Sequence, residues 1–160
     1  MKKLIILSVL MLASGAVTAQ HENHQEASVS AEVDAVKTVL KQYKDALESL
    51  DLSNTQHLFS QDATIFENGK YEGSYRQYLD NHIGPELGHF KEFTFSNYTV
   101  NVRMEDEVAV AYETYNYRIV IGGEEDRIVE RQAVATSVLK KLDGTWKIIQ
   151  NHGSSRAIRN

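Results

Sequence analysis

From Phe90 to Gly153 the chain is almost entirely strand-forming: FKEFTFSNYTVNVRM, EVAVAYETYNYRIVI, RIVERQAVATSVLKK and TWKIIQNHG follow one another with little between them. The separators are Glu105-Asp106, Gly122-Gly123-Glu124-Glu125 and Asp143-Gly144. Turns this short leave no room for a crossover helix, so consecutive runs must pair antiparallel as a meander. A sheet of long strands with one apolar face needs a second layer to cover that face, and only the N-terminal half can supply it.

That half has helical periodicity. With Ser30 as a cap, Val33, Val36, Val39, Leu40, Tyr43, Leu47 and Leu50 recur at three- and four-residue spacing and predict a helix of about five turns, stopped by Asp51 with Ser53. SNTQHLF predicts a shorter helix carrying Leu58 and Phe59 into the core. ATIFENGKYEG predicts a hairpin on an Asn68-Gly69 turn. Ser74 is placed to cap a third helix over YRQYLDNHI, which Gly84-Pro85 should break or kink before Glu86 and Leu87. The expected architecture is α+β, with three N-terminal helices packed on a strongly curved antiparallel sheet.

The first 19 residues read as a signal peptide: Lys2 and Lys3, an apolar core from Leu4 to Leu12, then Val17 and Ala19 before the expected cleavage point. Residues 20–29, QHENHQEASV, read as a disordered leader, and 157–160 as a tail, which leaves one domain over 30–156. His21 and His24 in the leader are expected to be solvated. The chain is therefore expected to be exported, to the periplasm or beyond, with no membrane attachment after cleavage. It has no cysteine, which excludes disulfides and leaves the core to hold the fold. The formal charge of −5 falls to about −7 without Lys2 and Lys3. An acidic chain without basic patches does not suit nucleic acid, and a small molecule or another protein is the expected partner.

The helix-hairpin-helix start, the phrase FSQDATIFENGKYEG with its following helix, and the ending VLKKLDGTWKIIQNHGSSR resemble the nuclear transport factor 2-like superfamily. Within it the chain is most similar to exported SnoaL-like and ketosteroid-isomerase-like bacterial domains, over nearly all of residues 30–156. The resemblance implies a cone-shaped fold whose bent sheet and helices enclose a pocket. Elsewhere in the superfamily that pocket serves isomerisation, dehydration, cyclisation, epoxide hydrolysis or plain ligand binding, so the fold alone leaves the activity open. It also implies that the third helix ends near the pocket mouth, bringing His82 within range of His152.

Strand alternation nominates the pocket residues. In WKIIQNHGSSR, Trp146, Ile148, Gln150, His152 and Ser154 share one face, which makes His152 either a pocket residue or a structural histidine. In the second long strand Glu113, Tyr115 and Tyr117 share a face with Ala109 and Ala111, where small residues leave room and polar ones furnish it; the alternative is that Val108, Val110 and Tyr112 face the core. Glu130 and Arg131 must point oppositely, and the register across the glycine turn decides which of them enters. His82, Glu86 and His89 suit a pocket rim better than a metal site, which lacks zinc-hydrolase spacing. Glu67 is expected at an exposed turn and Asp62 as a cap or turn former.

The expected function is binding of a small apolar or carbonyl-containing ligand, with Tyr115, Tyr117, Gln150, Trp146 and Arg131 around it. The alternative is a small isomerase, dehydratase or hydrolase in which His152 and either His82 or Glu113 exchange a proton while Tyr115 or Tyr117 stabilises an oxyanion. No glycine-rich phosphate loop or cysteine cluster is present, so neither cofactor nor metal is expected. The outer sheet face is expected to pair two subunits as a homodimer.

Overall fold

The structure, a computed structural model, describes residues 16–158, with side chains from residue 28 onward. A six-stranded sheet in the order β2-β1-β6-β5-β4-β3 carries two helices on one face. The strands are β1 (Phe59–Glu67), β2 (Lys70–Ser74), β3 (Phe90–Glu105), β4 (Val108–Ile121), β5 (Arg127–Leu142) and β6 (Thr145–Ala157). The meander β3 to β6 and the β1–β2 hairpin stand where the sequence placed them. Asn68 (φ 48°) and Gly69 (φ 85°) both take the left-handed conformation that a two-residue hairpin turn demands.

Three expectations need correction. The sheet is not wholly antiparallel: β1 runs parallel to β6, pairing Phe66 with His152 and Glu67 with Gly153. A parallel neighbour requires a long connection, and the entire second helix with four strands, β2 to β5, supplies it. The helices number two rather than three, because SNTQHLF yields only a 3-10 turn, Gln56–Leu58. The first helix, α1, spans Ala16–Glu48, so residues 20–29 are helical rather than a disordered leader and Ser30 lies inside the helix instead of capping it. QHENHQEASV contains no glycine or proline, so nothing local ends the helix there. Most of the expected signal peptide lies outside the described residues, and no helix among those described is long and apolar enough to cross a membrane.

The second helix occupies residues 75–87 and is continuous through Pro85. An α-helical turn, Tyr75–Tyr78, passes into a π-turn, Leu79–Ile83, and then into Gly84–Leu87. Ser74 caps it as expected, in a reciprocal capping box with Gln77. Pro85 sits in the first turn of the last piece, where its missing N–H is tolerated, and the wider π-turn takes up the offset. Gly84 is required there: a Cβ would stand 2.3 Å from the Leu79 carbonyl oxygen.

The core lies between α1 and the sheet. Val36, Leu40 and Leu47 of the predicted stripe pack with Ile65, Leu139 and Ile148. Phe59 and Tyr75 stack with ring centroids 3.5 Å apart, and Tyr43 meets both edge-on. Trp146 is buried at the other end of the core, where its indole N–H donates to Glu32 at 2.6 Å. It is a structural anchor for α1 and not a pocket residue.

Candidate functional site

Small residues create the space. Ala133 and Ala135 on β5 face the core side of the sheet, and Ala135 is paired with Gly153 of β6. A Cβ built on Gly153 would meet nothing within 4 Å. The result is a cavity of about 140 Å³ between the sheet and the two helices. Its walls are largely apolar: Leu47 of α1, Ile65 of β1, Ile83 of the second helix, Phe93 and Phe95 of β3, and Ile119 of β4.

The closed end is polar in a particular way. Lys44 projects from α1 between Tyr43 and Leu47, and its ammonium lies 3.2 Å from Glu113 Oε1. Three rings surround that nitrogen, with centroids at 4.4 Å (Tyr115), 5.2 Å (Phe95) and 5.9 Å (Tyr98). Glu113 is only 2 % exposed and accepts a hydrogen bond from the Tyr98 hydroxyl at 2.9 Å. A break in the β3–β4 register between Ser96 and Thr99, with Asn97 at φ 53°, accompanies this placement of Tyr98. Glu113 lies on the inner face with Tyr115 and Tyr117, but behind Lys44 rather than in the cavity lining. Tyr43 and Tyr115 line the cavity, and neither phenol makes a hydrogen bond to another described residue. Burial, reinforced by neighbouring phenols and carboxylates, pushes both phenols well above the ordinary tyrosine range.

The open end is a cluster of charges. Glu67 faces the cavity instead of an exposed turn, and its Oε2 accepts from the Tyr78 hydroxyl at 2.6 Å. His82, in the π-turn, places Nδ1 3.1 Å from Glu72 Oε2 and Nε2 3.4 Å from Glu86 and 3.9 Å from Glu67. The Lys70 ammonium and then His82 hold the Glu72 carboxyl below its usual range. Arg131 enters the mouth and Glu130 points out, because the register pairs Tyr117 with Arg131 and Arg118 with Glu130. The Arg131 guanidinium donates to Ser155 Oγ and to the Ser155 carbonyl oxygen, both at 2.9 Å, while Tyr117 shares the same hydroxyl at 3.1 Å.

Two nominated residues fall on the wrong face. A bulge in the β5–β6 pairing, between Val138 and Leu139, makes Leu139 oppose Ile148 while Val138 opposes Gln150. The unmatched Ile149 shifts the alternation by one, so Asn151, Gly153 and Ser155 line the cavity. Gln150 and His152 are exposed on the outer face, where His152 packs its edge against Phe66. His82 and His152 therefore do not meet in the pocket. Of the rim candidates His82 and Glu86 are at the mouth and His89 is exposed beyond it. Asp62 lies within β1 and accepts from Ser60 Oγ at 2.9 Å. Among the described residues no histidine and carboxylate group forms a metal-binding set.

An α+β domain with a sheet and two helices enclosing one small cavity defines the class as nuclear transport factor 2-like. Residues 36–158 match the SnoaL-like domain, and the chain belongs to that family. Solved structures agree on the fold. A nuclear transport factor 2-like superfamily protein from Salmonella enterica serovar Typhimurium superposes with a TM-score of 0.69 at 18% identity, over 84% of this chain and 96% of that one. A candidate ketosteroid isomerase from Shewanella frigidimarina gives 0.64 at 24% identity, over 75% and 94%. A hexachlorocyclohexane dehydrochlorinase from Novosphingobium barchaimii gives 0.71 at 13% identity, over 84% and 92%. No curated protein matches the chain.

Proposed function

We propose that this domain binds a small, mostly apolar molecule carrying one oxygen, in the cavity between sheet and helices. The observation that carries the reading is the composition of the cavity: apolar walls, about 140 Å³ of space, and two phenols at the wall with no partner within the described protein. A cavity of about 150 Å³ holds a benzene-sized molecule, so one ring or its aliphatic equivalent fits. A carbonyl or hydroxyl oxygen on that ring would accept from Tyr43, Tyr115 or Lys44, and larger substituents would extend to the mouth between Glu67 and Arg131.

The test is calorimetric titration and thermal shift with benzyl alcohol, phenol and acetophenone against the protein and its Ala135→Leu variant. Binding to the parent and its loss in Ala135→Leu, with the variant still folded, is the expected outcome. His152→Ala should bind as the parent does, because that side chain is on the other face. Equal binding by the parent and Ala135→Leu would sink the reading.

A second reading, turnover by acid-base chemistry, draws on one arrangement. Glu72 stands behind His82 Nδ1 and leaves Nε2 directed at the mouth, the order in which a carboxylate orients a histidine base. Glu67, held by Tyr78, is a second proton acceptor beside it. The relatives titled isomerase and dehydrochlorinase make proton transfer at carbon the reaction class to screen. Loss of any such turnover in both His82→Gln and Glu67→Gln, with ligand binding retained, is what this reading requires.

Export and a homodimer belong to the same proposal. Tyr112, Ile128 and Val134 are more than half exposed on the outer sheet face, which supports pairing of two copies there. Light scattering on the parent and a Val134→Lys variant tests this, with a dimer expected for the first and a monomer for the second.

A further inference from the structure

The closed end of the cavity holds an arrangement that plain binding does not require. Moving outward from the cavity, the order is a primary amine, then a carboxylate, then a phenol: Lys44 lines the cavity, Glu113 Oε1 lies 3.2 Å behind it, and the Tyr98 hydroxyl supports Glu113 at 2.9 Å. The Lys44 side chain is 12% exposed and that of Glu113 1%, so neither charge has much water to hold it. A lysine nitrogen in a largely apolar pocket, beside a carboxylate placed to take its proton, is the arrangement that nucleophilic attack on a carbonyl requires.

We infer that Lys44 captures small aldehydes and ketones in the cavity as an imine, with Glu113 as its proton acceptor and donor. The inference rests on the cavity being a ligand site. In the first step the Lys44 ammonium passes one proton to Glu113, and the freed lone pair forms a bond to the carbonyl carbon as the carbon–oxygen π bond breaks. The Tyr115 hydroxyl, which no described residue occupies, is available to hydrogen-bond the developing oxygen. A second proton leaves nitrogen for that oxygen to give the carbinolamine. Glu113 then returns its proton to the hydroxyl, the carbon–oxygen bond breaks, and water leaves as the carbon–nitrogen double bond forms. The balance closes on an ammonium and a carbonyl giving a protonated imine and water, with no oxidant, reductant or metal. The aromatic faces of Tyr115, Phe95 and Tyr98 around the nitrogen suit the cationic product as they suit the ammonium.

Lys44 is the one lysine in the lining among the described residues, whereas Lys41 and Lys70 have side chains 70% exposed. Selectivity among lysines is therefore the readout. The protein is treated briefly with benzaldehyde and sodium cyanoborohydride, which fixes an imine as a stable amine, and the adduct is located by intact mass and peptide mapping. A single adduct on Lys44 is expected, suppressed by excess benzyl alcohol, which has no carbonyl and competes only for the cavity. Lys44→Arg should give no adduct at that position, and Glu113→Gln should slow labelling by about tenfold or more. Competition by benzyl alcohol uses the unaltered protein, so the test stands even if either variant fails to fold. Labelling spread over the exposed lysines with Lys44 untouched overturns the imine. If benzyl alcohol binds but benzaldehyde does not label Lys44, the imine fails and the binding site survives; if benzyl alcohol does not bind at all, both fail.

Discussion

The two ends of the cavity use similar residues under opposite conditions. At the closed end Lys44 and Glu113 are withdrawn from water and face each other, with Tyr98 donating to the same carboxylate. At the mouth Glu67, His82, Glu86 and Arg131 remain partly solvated; His82 faces both Glu67 and Glu86, and Arg131 is held by Ser155. Burial makes the first set interdependent, since removing one member leaves an uncompensated charge in an apolar site. Solvent makes the second set individually dispensable to the fold, and so free to be chosen for chemistry.

The sharpest way to break the comparison is at Glu113. Glu113→Ala should cost about 3–5 kcal/mol by leaving the Lys44 ammonium unpaired, measured by urea unfolding. Replacing both partners, Lys44→Met with Glu113→Leu, should recover most of that loss, because the double variant buries no charge. A double variant as unstable as the single one would show that packing, not charge, governs the closed end.

Alkaline pH should act next, on the buried phenols of both ends. Burial raises Tyr43, Tyr78, Tyr98, Tyr115 and Tyr117, and takes Tyr75 to about 12. A group whose folded pKa is raised contributes stability that is complete below the unfolded value, about 10 for tyrosine, and is lost as the pH climbs past it. The protein should therefore hold its stability up to about pH 10 and then lose it steadily. In a phenolate absorbance titration the buried tyrosines should ionise together with the loss of structure above about pH 10 and not before it.

The scaffold of the mouth is more exacting than its charges. Gly84→Ala drives a methyl against the Leu79 carbonyl and should cost about 1–3 kcal/mol while displacing His82. Glu67→Gln, by contrast, should change stability by less than about 1 kcal/mol, since a partly solvated amide still accepts from Tyr78. A larger loss for Glu67→Gln than for Gly84→Ala would reverse the distinction between the mouth's scaffold and its charges.

What was legible in the sequence was local. The strands of the meander, the Asn68-Gly69 hairpin and the Ser74 cap follow from alternation and turn chemistry over a few residues, and alternation also groups Ala109, Ala111, Glu113, Tyr115 and Tyr117 on one face while leaving open whether that face is the inner one. The pairing of β1 with β6 joins residues some 85 positions apart, so nothing near Glu67 announced that it would look into a cavity. Pro85 misled because a π-turn can absorb a residue that an α-helix cannot. Lys44 was readable and passed over: it stands four residues after Leu40 and three before Leu47, inside the apolar stripe, where a charge requires a partner. Glu113 among small apolar residues was the matching signal on the sheet.

The unmatched residue in β6 has a consequence for how such a cavity can change. Upstream of Ile149 the strand presents Trp146 and Ile148 inward; downstream it presents Asn151, Gly153 and Ser155, and hides Gln150 and His152 on the other side. Which set lines the cavity thus depends on the bulge and not on any side chain that touches a ligand. Deleting Ile149 would restore simple alternation and keep the same wall, whereas losing the bulge with the strand at full length would turn Gln150 and His152 inward and Asn151 and Gly153 outward together. In a scaffold of this kind the gain or loss of one bulge can exchange an entire wall, which point substitutions would have to rebuild one position at a time.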